Sequence, residues 1–331
     1  MIVVAGEALI DLVPGEAGDG GGGALPALLP RRGGGPYNTA VALGRLGAPA
    51  AFCSRVSADG FGEALLAGLR TAGVDVSLVQ RGPEPTTLAV ADVGADGSAG
   101  YAFYAEGTAD RLFELPGPLP EAVSALCLGT CSLVLEPGAS AYEALLRREA
   151  ERGVFTLLDP NVRAGLIPDA AAYRARFRSW LPHVTLLKLS EEDARWLGGS
   201  PEQWLAEGPA AVVVTHGAAG LSVHPRNGAR QSVPAPAVEV VDTIGAGDTV
   251  NAALLHGLAA RGALTRGALD TVDWPDVLRF AARAAALTCT RAGAEPPWSA
   301  DLRGTPGPPT AGPLPPAAGA PCGSVLKRRT G

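Results

Sequence analysis

Lysine is almost absent from this sequence, and the shortage excludes one common type of phosphate-binding site. The 331 residues include only Lys188 and Lys327, so arginine supplies nearly all of the positive charge. Neither lysine follows a glycine, whereas the phosphate-binding P-loop requires the sequence GxxxxGK[ST]. A P-loop is therefore excluded, and a phosphate site in this chain would have to be built in another way.

Other absences bear on compartment and partners. The sequence contains no run of 18 apolar residues, the length that a membrane-spanning helix needs. The N-terminal segment MIVVAGEALIDLVPG lacks the basic leader of a signal peptide and is predicted to be a buried strand. The five cysteines show no CxxC spacing and the four histidines no HExxH spacing, which indicates ordinary thiols in a reducing compartment. With a net charge of −6, we expect a cytoplasmic protein with no nucleic-acid partner and no membrane partner.

The composition allows a large core, because 47% of the residues are hydrophobic and 18% are charged. Strand-like and helical patterns alternate, which predicts a mostly parallel sheet with helices on both faces. Strands are predicted at residues 2–5, 9–13, 50–54, 125–128, 154–158, 185–189 and 211–215. Helices are predicted at residues 38–46, 61–72, 139–152, 170–180 and 191–197.

Three segments depart from this alternation. Residues 86–107, TTLAVADVGADGSAGYAFYAEG, predict a hairpin with Asp96-Gly97 at its turn. Such a hairpin is equally compatible with a lid over an active site and with an edge hairpin without function. Residues 18–23 form a glycine-rich loop tip. Residues 299–331 are rich in Pro, Gly and Ala, and we expect a disordered tail without a catalytic role.

The segment VDTIGAGDTVNAA at residues 241–253 suggests phosphoryl chemistry. Gly245-Ala246-Gly247 is no dinucleotide-binding GxGxxG motif, because Val250 stands where the third glycine would be. The turn precedes a predicted helix, and backbone N–H groups at a helix N-terminus bind anions. Asp248 would repel a phosphate unless it accepts a proton from a hydroxyl nucleophile. From spacing alone, an ordinary first-turn acid after ordinary turn glycines is equally compatible with the segment.

Two longer stretches resemble the signatures of the PfkB (ribokinase-like) sugar kinases. DTIGAGDTVNAALL is similar to the C-terminal signature, and GGGPYNTAVALGRLG is similar to the N-terminal one. The resemblance covers roughly residues 1–300. It implies a ribokinase-like three-layer αβα sandwich over residues 1–298, with a mostly parallel central sheet and a small β lid from about 12–33 and 86–108. Ser57 departs from the family's glycine in RVSADGFG, which we expect to alter a loop without abolishing activity.

The resemblance also implies roles around the glycine turn. Asp248 matches the catalytic base, and Gly245, Ala246 and Gly247 match the anion hole that holds the phosphoryl group. Asp242, together with Ile244, matches a monovalent cation site that would hold K⁺. A role of Asp242 as a cap of the turn is equally compatible with the sequence.

Sugar contacts are implied in the N-terminal half and in the segment LDPNVR. A carboxylate can accept hydrogen bonds from two adjacent hydroxyls, which suits the position matched by Asp11. Asn38 would form a hydrogen bond with a sugar hydroxyl, cap a helix, or do both. Arg163 would pair with phosphate oxygens or be structural. The complete set matched to the substrate is Asp11, Gly34, Gly35, Asn38, Tyr104, Asp159 and Arg163.

ATP and Mg²⁺ contacts are implied in the second half of the chain. In LLKLSEEDARWL, Ser190 and Asp193 stand where the family has an N-x-x-E motif that orders Mg²⁺ waters. In VVVTHGAAGLSVH, a turn matches a nucleotide-binding turn, and small residues on the last helix would make room for adenine. The complete set matched to the nucleotide is Lys188, Ser190, Asp193, Thr215, Gly217, Gly220, Ala285 and Cys289.

The sugar is suggested by the lid. Relatives acting on 2-keto-3-deoxygluconate tend to carry an arginine after the lid tyrosine, whereas Ala105 is uncharged here. An unpaired substrate carboxylate near Asp11 and Asp248 would be costly, so we expect ATP-dependent phosphorylation of fructose to fructose 6-phosphate. The alternatives are a kinase for 2-keto-3-deoxygluconate, ribose or a nucleoside, or a catalytically silent sensor that binds sugar and ATP. Dimerisation through the lid and a monomer are both compatible with the sequence.

Overall fold

Continuous apolar strands alternate with amphipathic helices, and this pattern places the strands in the interior. The computed structural model describes residues 1–15, 27–93 and 99–303. The glycine-rich loop tip, the Asp96-Gly97 turn and residues 304–331 lie outside these ranges. Within them the strands are β1 Ile2–Ala5, β2 Leu9–Pro14, β3 Leu28–Gly33, β4 Ala50–Ser57, β5 Val79–Gly82, β6 Leu88–Val93, β7 Ala99–Tyr104, β8 Ala125–Gly129, β9 Phe155–Asp159, β10 Leu186–Ser190, β11 Ala211–Thr215, β12 Leu221–Pro225 and β13 Gln231–Val233. The α-helices are α1 Gly35–Arg45, α2 Gly60–Thr71, α3 Gly138–Glu151, α4 Ala170–Trp180, α5 Glu191–Leu197, α6 Pro201–Glu207, α7 Ala246–Ala259 and α8 Trp274–Cys289.

Nine strands form the central sheet in the order β13-β12-β11-β10-β9-β8-β1-β4-β5. Pairing is parallel from β11 through to β5, whereas β12 and β13 add antiparallel at one edge. Parallel strands direct their carboxyl ends to one edge of the sheet, where α/β proteins bind ligands. The carboxyl ends of β8 to β11 therefore bring Gly129, Asp159, Ser190 and Thr215 to one edge.

Helices cover both faces of this sheet. Val3 packs into a cluster with side chains of α3, α4, α5 and α6, whereas the next residue, Val4, packs with side chains of α1, α2, α7 and α8. This alternation is that of a strand buried on both faces. The predicted three-layer architecture with a mostly parallel central sheet is thus confirmed.

A second sheet of four strands, in the order β3-β2-β6-β7, forms the lid. The strands β2 and β3 pair antiparallel, as do β6 and β7, and β2 pairs parallel with β6. The two arms of the predicted hairpin are therefore β6 and β7. Strands β3, β6 and β7 lie within the predicted lid segments 12–33 and 86–108, whereas β2 begins at Leu9, three residues before the first segment.

Most predicted elements are present, and their ends differ by a few residues. Helix α1 begins at Gly35 and not at residue 38, because Pro36 lies in its first turn, where the missing N–H of proline has no cost. Strand β4 runs to Ser57, three residues beyond its predicted end. Ser57 is buried at the end of β4 and its Oγ accepts the N–H of Asp59 at 3.0 Å, so this departure from the family lies where β4 leads into α2.

The described chain continues past residue 299, where the tail was predicted to begin. Ser299 N donates to the carbonyl of Arg45 at 3.0 Å, and Asp301 pairs with Arg291 at 2.9 Å. The guanidinium of Arg45 also lies 5.3 Å from the centre of the Trp298 ring. Residues 299–303 therefore contact the domain. No helix in the described ranges combines the length and the apolar character needed to cross a membrane.

Candidate active site

A cavity of about 280 Å³ lies between the lid, the carboxyl edge of the central sheet and the glycine turn. It has the size of a small-ligand site. Its walls are formed by Glu7, Leu9, Asp11, Gly34, Gly35, Asn38, Tyr101, Phe103, Thr130, Cys131, Asn161, Arg163, Lys188, Thr243, Ile244, Gly245, Gly247 and Asp248. The two segments that carried the family resemblance, far apart in sequence, thus meet at one cavity.

Asp248 stands in the first turn of α7, where α7 packs against α1. Its side chain is buried, and Asn38 Nδ2 of α1 donates to its Oδ2 at 2.9 Å. Burial raises the pKa of Asp248 to about 7, and the hydrogen bond from Asn38 opposes that rise. A carboxylate with a pKa near 7 is suited to accept a proton at neutral pH. Asn38, predicted to contact the sugar, thus also holds the candidate base.

The glycine turn brings backbone N–H groups to the same cavity. Gly245 has φ +76°, and a Cβ on it would lie 2.7 Å from Cβ of Ala294, so its backbone conformation and its surroundings both favour glycine. The N–H groups of Gly247 and Asp248 belong to the first turn of α7, where N–H groups have no partner within the helix. Ala246 was also predicted to belong to the anion hole. Its N–H donates to the Thr243 carbonyl at 3.2 Å, and the residue does not line the cavity.

A buried ion pair lies behind the turn. Lys188 Nζ is 2.7 Å from Asp159 Oδ2, and both side chains are almost fully buried. A Cβ on Gly247 would lie 3.0 Å from this ammonium, so Lys188 directly adjoins the turn. The nearby carboxylates of Asp159 and Asp248 raise the pKa of Lys188 against the opposing effect of burial. Asp159, predicted to contact the sugar, does not line the cavity and instead binds the lysine behind it.

Asp11 of β2, predicted to contact the sugar, lines the cavity on the lid side. Burial raises the pKa of Asp11 to about 6, although the guanidinium of Arg163 lowers it. Arg163 is exposed at the cavity, and its Nη1 donates to Asn161 Oδ1 at 2.7 Å. Gly34 and Gly35 complete this wall. A Cβ on Gly34 would lie 2.8 Å from the Glu7 carbonyl, which shows how closely two chain segments approach there.

Two aromatic residues of the lid strand β7 lie at the cavity. Tyr101 and Phe103 of β7 line it, whereas Tyr104 is 64% exposed and does not. Successive side chains of a strand point to opposite faces, so a cavity lined by residues 101 and 103 excludes residue 104. Contact of Tyr104 with the sugar stays a prediction, and its side chain does not line this cavity. Glu106, a further lid residue, forms an exposed ion pair with Arg111.

Ser190 and Asp193, expected near Mg²⁺, instead form a capping box at the start of α5. Ser190 Oγ accepts from Asp193 N at 3.0 Å, and Asp193 Oδ2 accepts from both N and Oγ of Ser190. The other carboxylate oxygen accepts the Val162 N–H at 2.7 Å. The contacts visible in the structure are therefore structural, and they fix the segment that carries Arg163.

The other residues matched to the nucleotide lie outside the cavity. Thr215 ends β11 beside Ser190, and Gly217 and Gly220 belong to the turn that follows. Ala285 and Cys289 lie on α8. The Cys289 carbonyl accepts the N–H groups of Val241 and Asp242, which ties the end of α8 to the segment before the glycine turn.

Asp242 caps this segment. Its Oδ1 accepts from Ile244 N at 3.0 Å and its Oδ2 from Gly293 N at 2.8 Å. The carboxylate thus joins the glycine turn to the segment after α8, which fits the capping role. Ile244 lines the cavity, whereas Asp242 does not.

Glu7 and Thr130 also line the cavity but were not predicted as site residues. Glu7 is buried and its carboxylate accepts from the hydroxyls of Thr130 and Ser132. Thr130 has φ +64° and Asn161 φ +37°, and they are the only non-glycine residues with positive φ in the described ranges. Strained backbone of this kind concentrates at functional sites. The position of Glu7 just after β1 was the one available signal in the sequence.

Known proteins resemble this chain over most of its length. Residues 1–301 match the pfkB family of carbohydrate kinases. A fructokinase of Rhizobium leguminosarum bv. trifolii is 40% identical over 282 residues, which are 82% of this chain and 84% of that protein. The structure of a Xylella fastidiosa fructokinase with bound ATP superposes with a TM-score of 0.78 at 29% identity, covering 88% of this chain and 93% of the other.

A third similar protein was solved with sugar and cation present. It is a fructokinase double mutant of Vibrio cholerae with fructose, ADP and a potassium ion bound, and it superposes with a TM-score of 0.74 at 28% identity over 88% of this chain and 93% of the other. The family match spans nearly all described residues, and these structures share the same fold. The chain belongs to the pfkB family of carbohydrate kinases.

Proposed function

We propose that this protein transfers a phosphoryl group from ATP to a hydroxyl of fructose, giving fructose 6-phosphate. The observation that carries the proposal is the buried Asp248 carboxyl, with a pKa of about 7, beside the glycine turn in a cavity that also contains Asp11. The fructokinases among the similar proteins support this substrate. Ala105 is buried and uncharged after the lid strand, so this position offers no cation for an acidic sugar.

Each residue has a role that follows from its surroundings. Asp11 accepts hydrogen bonds from sugar hydroxyls, and Tyr101 and Phe103 cover the sugar from the lid. Asp248 accepts the proton of the attacking hydroxyl. The amides of Gly247 and Asp248, with the Lys188 ammonium behind them, stabilise negative charge on the transferring group. ATP supplies the phosphoryl group when bound, and the carboxyl edge near Thr215 and the turn of Gly217 and Gly220 is the place we propose for it.

The proposal assigns no protein side chain to Mg²⁺. Asp193 is held in the capping box of α5, and the described residues contain no group of three or more His, Cys, Asp or Glu side chains that could hold a metal ion. Magnesium commonly binds through substrate phosphates with few protein ligands. Asp242 and the Ile244 carbonyl are oxygen donors that fit K⁺, and we infer a monovalent cation site there. Replacing KCl by NaCl in the assay tests this inference, because a potassium site predicts a lower kcat in sodium.

The proposed function is tested by following ATP consumption with fructose, ribose, 2-keto-3-deoxygluconate and adenosine. We expect the highest kcat/KM with fructose. We expect Asp248→Asn to lower kcat by roughly 10²- to 10⁴-fold, because a general base contributes that much. A variant that retained wild-type kcat would disprove the base assignment. Binding of fructose and ATP without turnover, at any magnesium or potassium concentration, would identify a silent sensor.

We infer that the protein acts in the cytoplasm as a homodimer paired through its lid. Cys53, Cys127, Cys131 and Cys289 are all free thiols, as expected in a reducing compartment. The outer lid strands, β3 and β7, carry the exposed apolar side chains of Leu28, Leu29 and Tyr104. Light scattering after gel filtration tests the dimer, and Leu29→Glu should give a monomer. A wild-type monomer would contradict it.

A further inference from the structure

A buried polar residue on the same helix as the candidate base has no role in the proposal above. Asn251 lies one turn after Asp248 on α7 and is buried. Its Nδ2 donates to Asp159 Oδ2 at 2.8 Å, the same oxygen that accepts from Lys188 Nζ at 2.7 Å. Asn251 therefore completes the support of the ion pair behind the glycine turn.

Two oxygen atoms of this group lack hydrogen bonds. Asp159 Oδ1 and Asn251 Oδ1 are buried and have no partner in the structure. Leaving a buried polar atom unpaired costs about 1–3 kcal/mol, and more for a charged one. Buried polar groups in proteins are almost always satisfied, by ordered water where no protein group reaches them.

Both residues line a second, much smaller cavity behind the active site. Its volume is about 10 Å³, close to the minimum for one water molecule. Gly35, Thr130 and Asp248 border both this cavity and the larger one. The two unpaired atoms are acceptors, so an occupant has to donate two hydrogen bonds, and a water molecule does so.

We propose that one internal water molecule occupies this small cavity, donates to Asp159 Oδ1 and Asn251 Oδ1, and hydrates the rear of Asp248. Asn251 and the water together position Asp159, and through it the Lys188 ammonium, against the glycine turn. Asn251 is thus a positioning residue for phosphoryl transfer. The catalytic part of this inference rests on the proposed kinase function, whereas the water site does not.

Because the water lies next to Asp248, its loss should change the pKa of that carboxyl, which the kcat–pH profile measures. Burial is the largest cause of the raised pKa of Asp248, and a polar neighbour at its rear limits that burial. An apolar side chain in place of Asn251 and the water would favour the neutral carboxyl. The acid limb of the kcat–pH profile would then move to higher pH.

The first test is a crystal structure of the wild-type protein at a resolution that resolves ordered water. We expect one water peak within hydrogen-bonding distance of Asp159 Oδ1 and Asn251 Oδ1. A dry cavity would overturn the proposal, whatever the activity of the protein. A peak with the short contacts and several oxygen ligands of a metal cation would overturn it too.

The second test compares three variants. Asn251→Leu fills the small cavity, and we expect kcat to fall by roughly 10- to 100-fold, as for small misplacements of catalytic groups, and the acid limb to rise by about one pH unit. Asn251→Ala leaves room for further water, and its acid limb should stay near that of the wild type. Thr249→Val is the matched control. Thr249 lies on α7 like Asn251 and forms a buried hydrogen bond with Thr288 of α8, but it does not line the small cavity.

An unchanged acid limb in a folded Asn251→Leu variant, or the same shift in Thr249→Val, would overturn the positioning role. If Asn251→Leu does not fold, Asn251→Ala and the wild-type crystal structure still decide the proposal. Failure of the proposed function would be visible separately, as an absence of fructose-dependent ATP consumption in the wild type.

Discussion

At the scale of single residues, the pKa of Asp248 connects activity and stability with opposite signs. Its folded pKa of about 7 lies above the ordinary 3.8. The stabilising contribution of the neutral carboxyl is complete below about pH 4 and is lost as the pH rises through 7. Catalysis requires the ionised carboxyl, so kcat should rise over the same interval.

This opposition predicts that Asp248→Asn stabilises the folded protein at alkaline pH while it abolishes most activity. Asparagine keeps the shape and can still accept from Asn38, but it carries no buried charge. We expect the free energy of unfolding at pH 8 to increase by about 1–4 kcal/mol, since one pKa unit corresponds to about 1.4 kcal/mol. Denaturant titrations at pH 4 and pH 8 measure it. Equal gains at both pH values would show that ionisation is not the cause.

Asp11 should act on binding more than on the chemical step. It lies on the lid side of the cavity with a pKa of about 6, raised by burial. Asp11→Asn keeps one hydrogen-bond acceptor but loses the charge that strengthens bonds from sugar hydroxyls. Such bonds contribute about 1.5–3 kcal/mol, so KM for fructose should rise roughly 10- to 100-fold with a smaller change in kcat. A large fall in kcat at unchanged KM would contradict the assignment.

At the scale of elements, the start of α7 should tolerate no side chain at Gly245. Gly245→Ala combines a left-handed backbone conformation with a Cβ 2.7 Å from that of Ala294. Gly262→Ala is the matched control, because Gly262 has φ +64° and nothing within 4 Å of the added Cβ.

Both variants should lose about 1–2 kcal/mol of stability through backbone strain. Only Gly245→Ala should lose more stability than this and, in addition, at least 90% of kcat. Stability is measured by denaturant titration and kcat by ATP consumption. Equal kcat in the two variants would show that the geometry of the turn is not needed for phosphoryl transfer.

The local sequence predicted those elements whose signals are local. The periodicity of α4 and α5 and the apolar runs of β1 and β11 gave their bounds correctly. The segment around the glycine turn directed attention to Asp248, which lines the cavity with Gly245 and Gly247. That Tyr101 and Phe103 line the cavity and Tyr104 does not could not be predicted, because the face of a strand that meets a cavity depends on how the lid packs. The capping box of Ser190 and Asp193 and its contact with Val162 are tertiary features, since Val162 lies 31 residues from Asp193. The unpaired oxygens Asp159 Oδ1 and Asn251 Oδ1 could not be predicted from the sequence, because they depend on tertiary packing.

At the scale of the whole molecule, the end of the folded domain can be tested by truncation. Residues 298–303 pack on Arg45 and Arg291. A chain that ends after Arg303 should keep the kcat and the thermal unfolding midpoint of the full chain. A chain that ends after Pro297 should lose about 1–2 kcal/mol, because it lacks a cation–π contact and a backbone hydrogen bond. Calorimetry of the three proteins checks this, and a loss already present after Arg303 would assign a structural role to residues 304–331.

The near absence of lysine, combined with the burial of Lys188, has a practical consequence. Lysine labelled with ¹⁵N at the side-chain amine would enter the protein at two positions only, and Lys327 lies near the end of the chain. The ammonium protons of Lys188 are enclosed beside Asp159, where exchange with solvent is slow, so its resonance should be resolved from that of Lys327. A single spectroscopic signal would then report from behind the glycine turn, and its change on adding ATP or fructose would follow the filling of the active site.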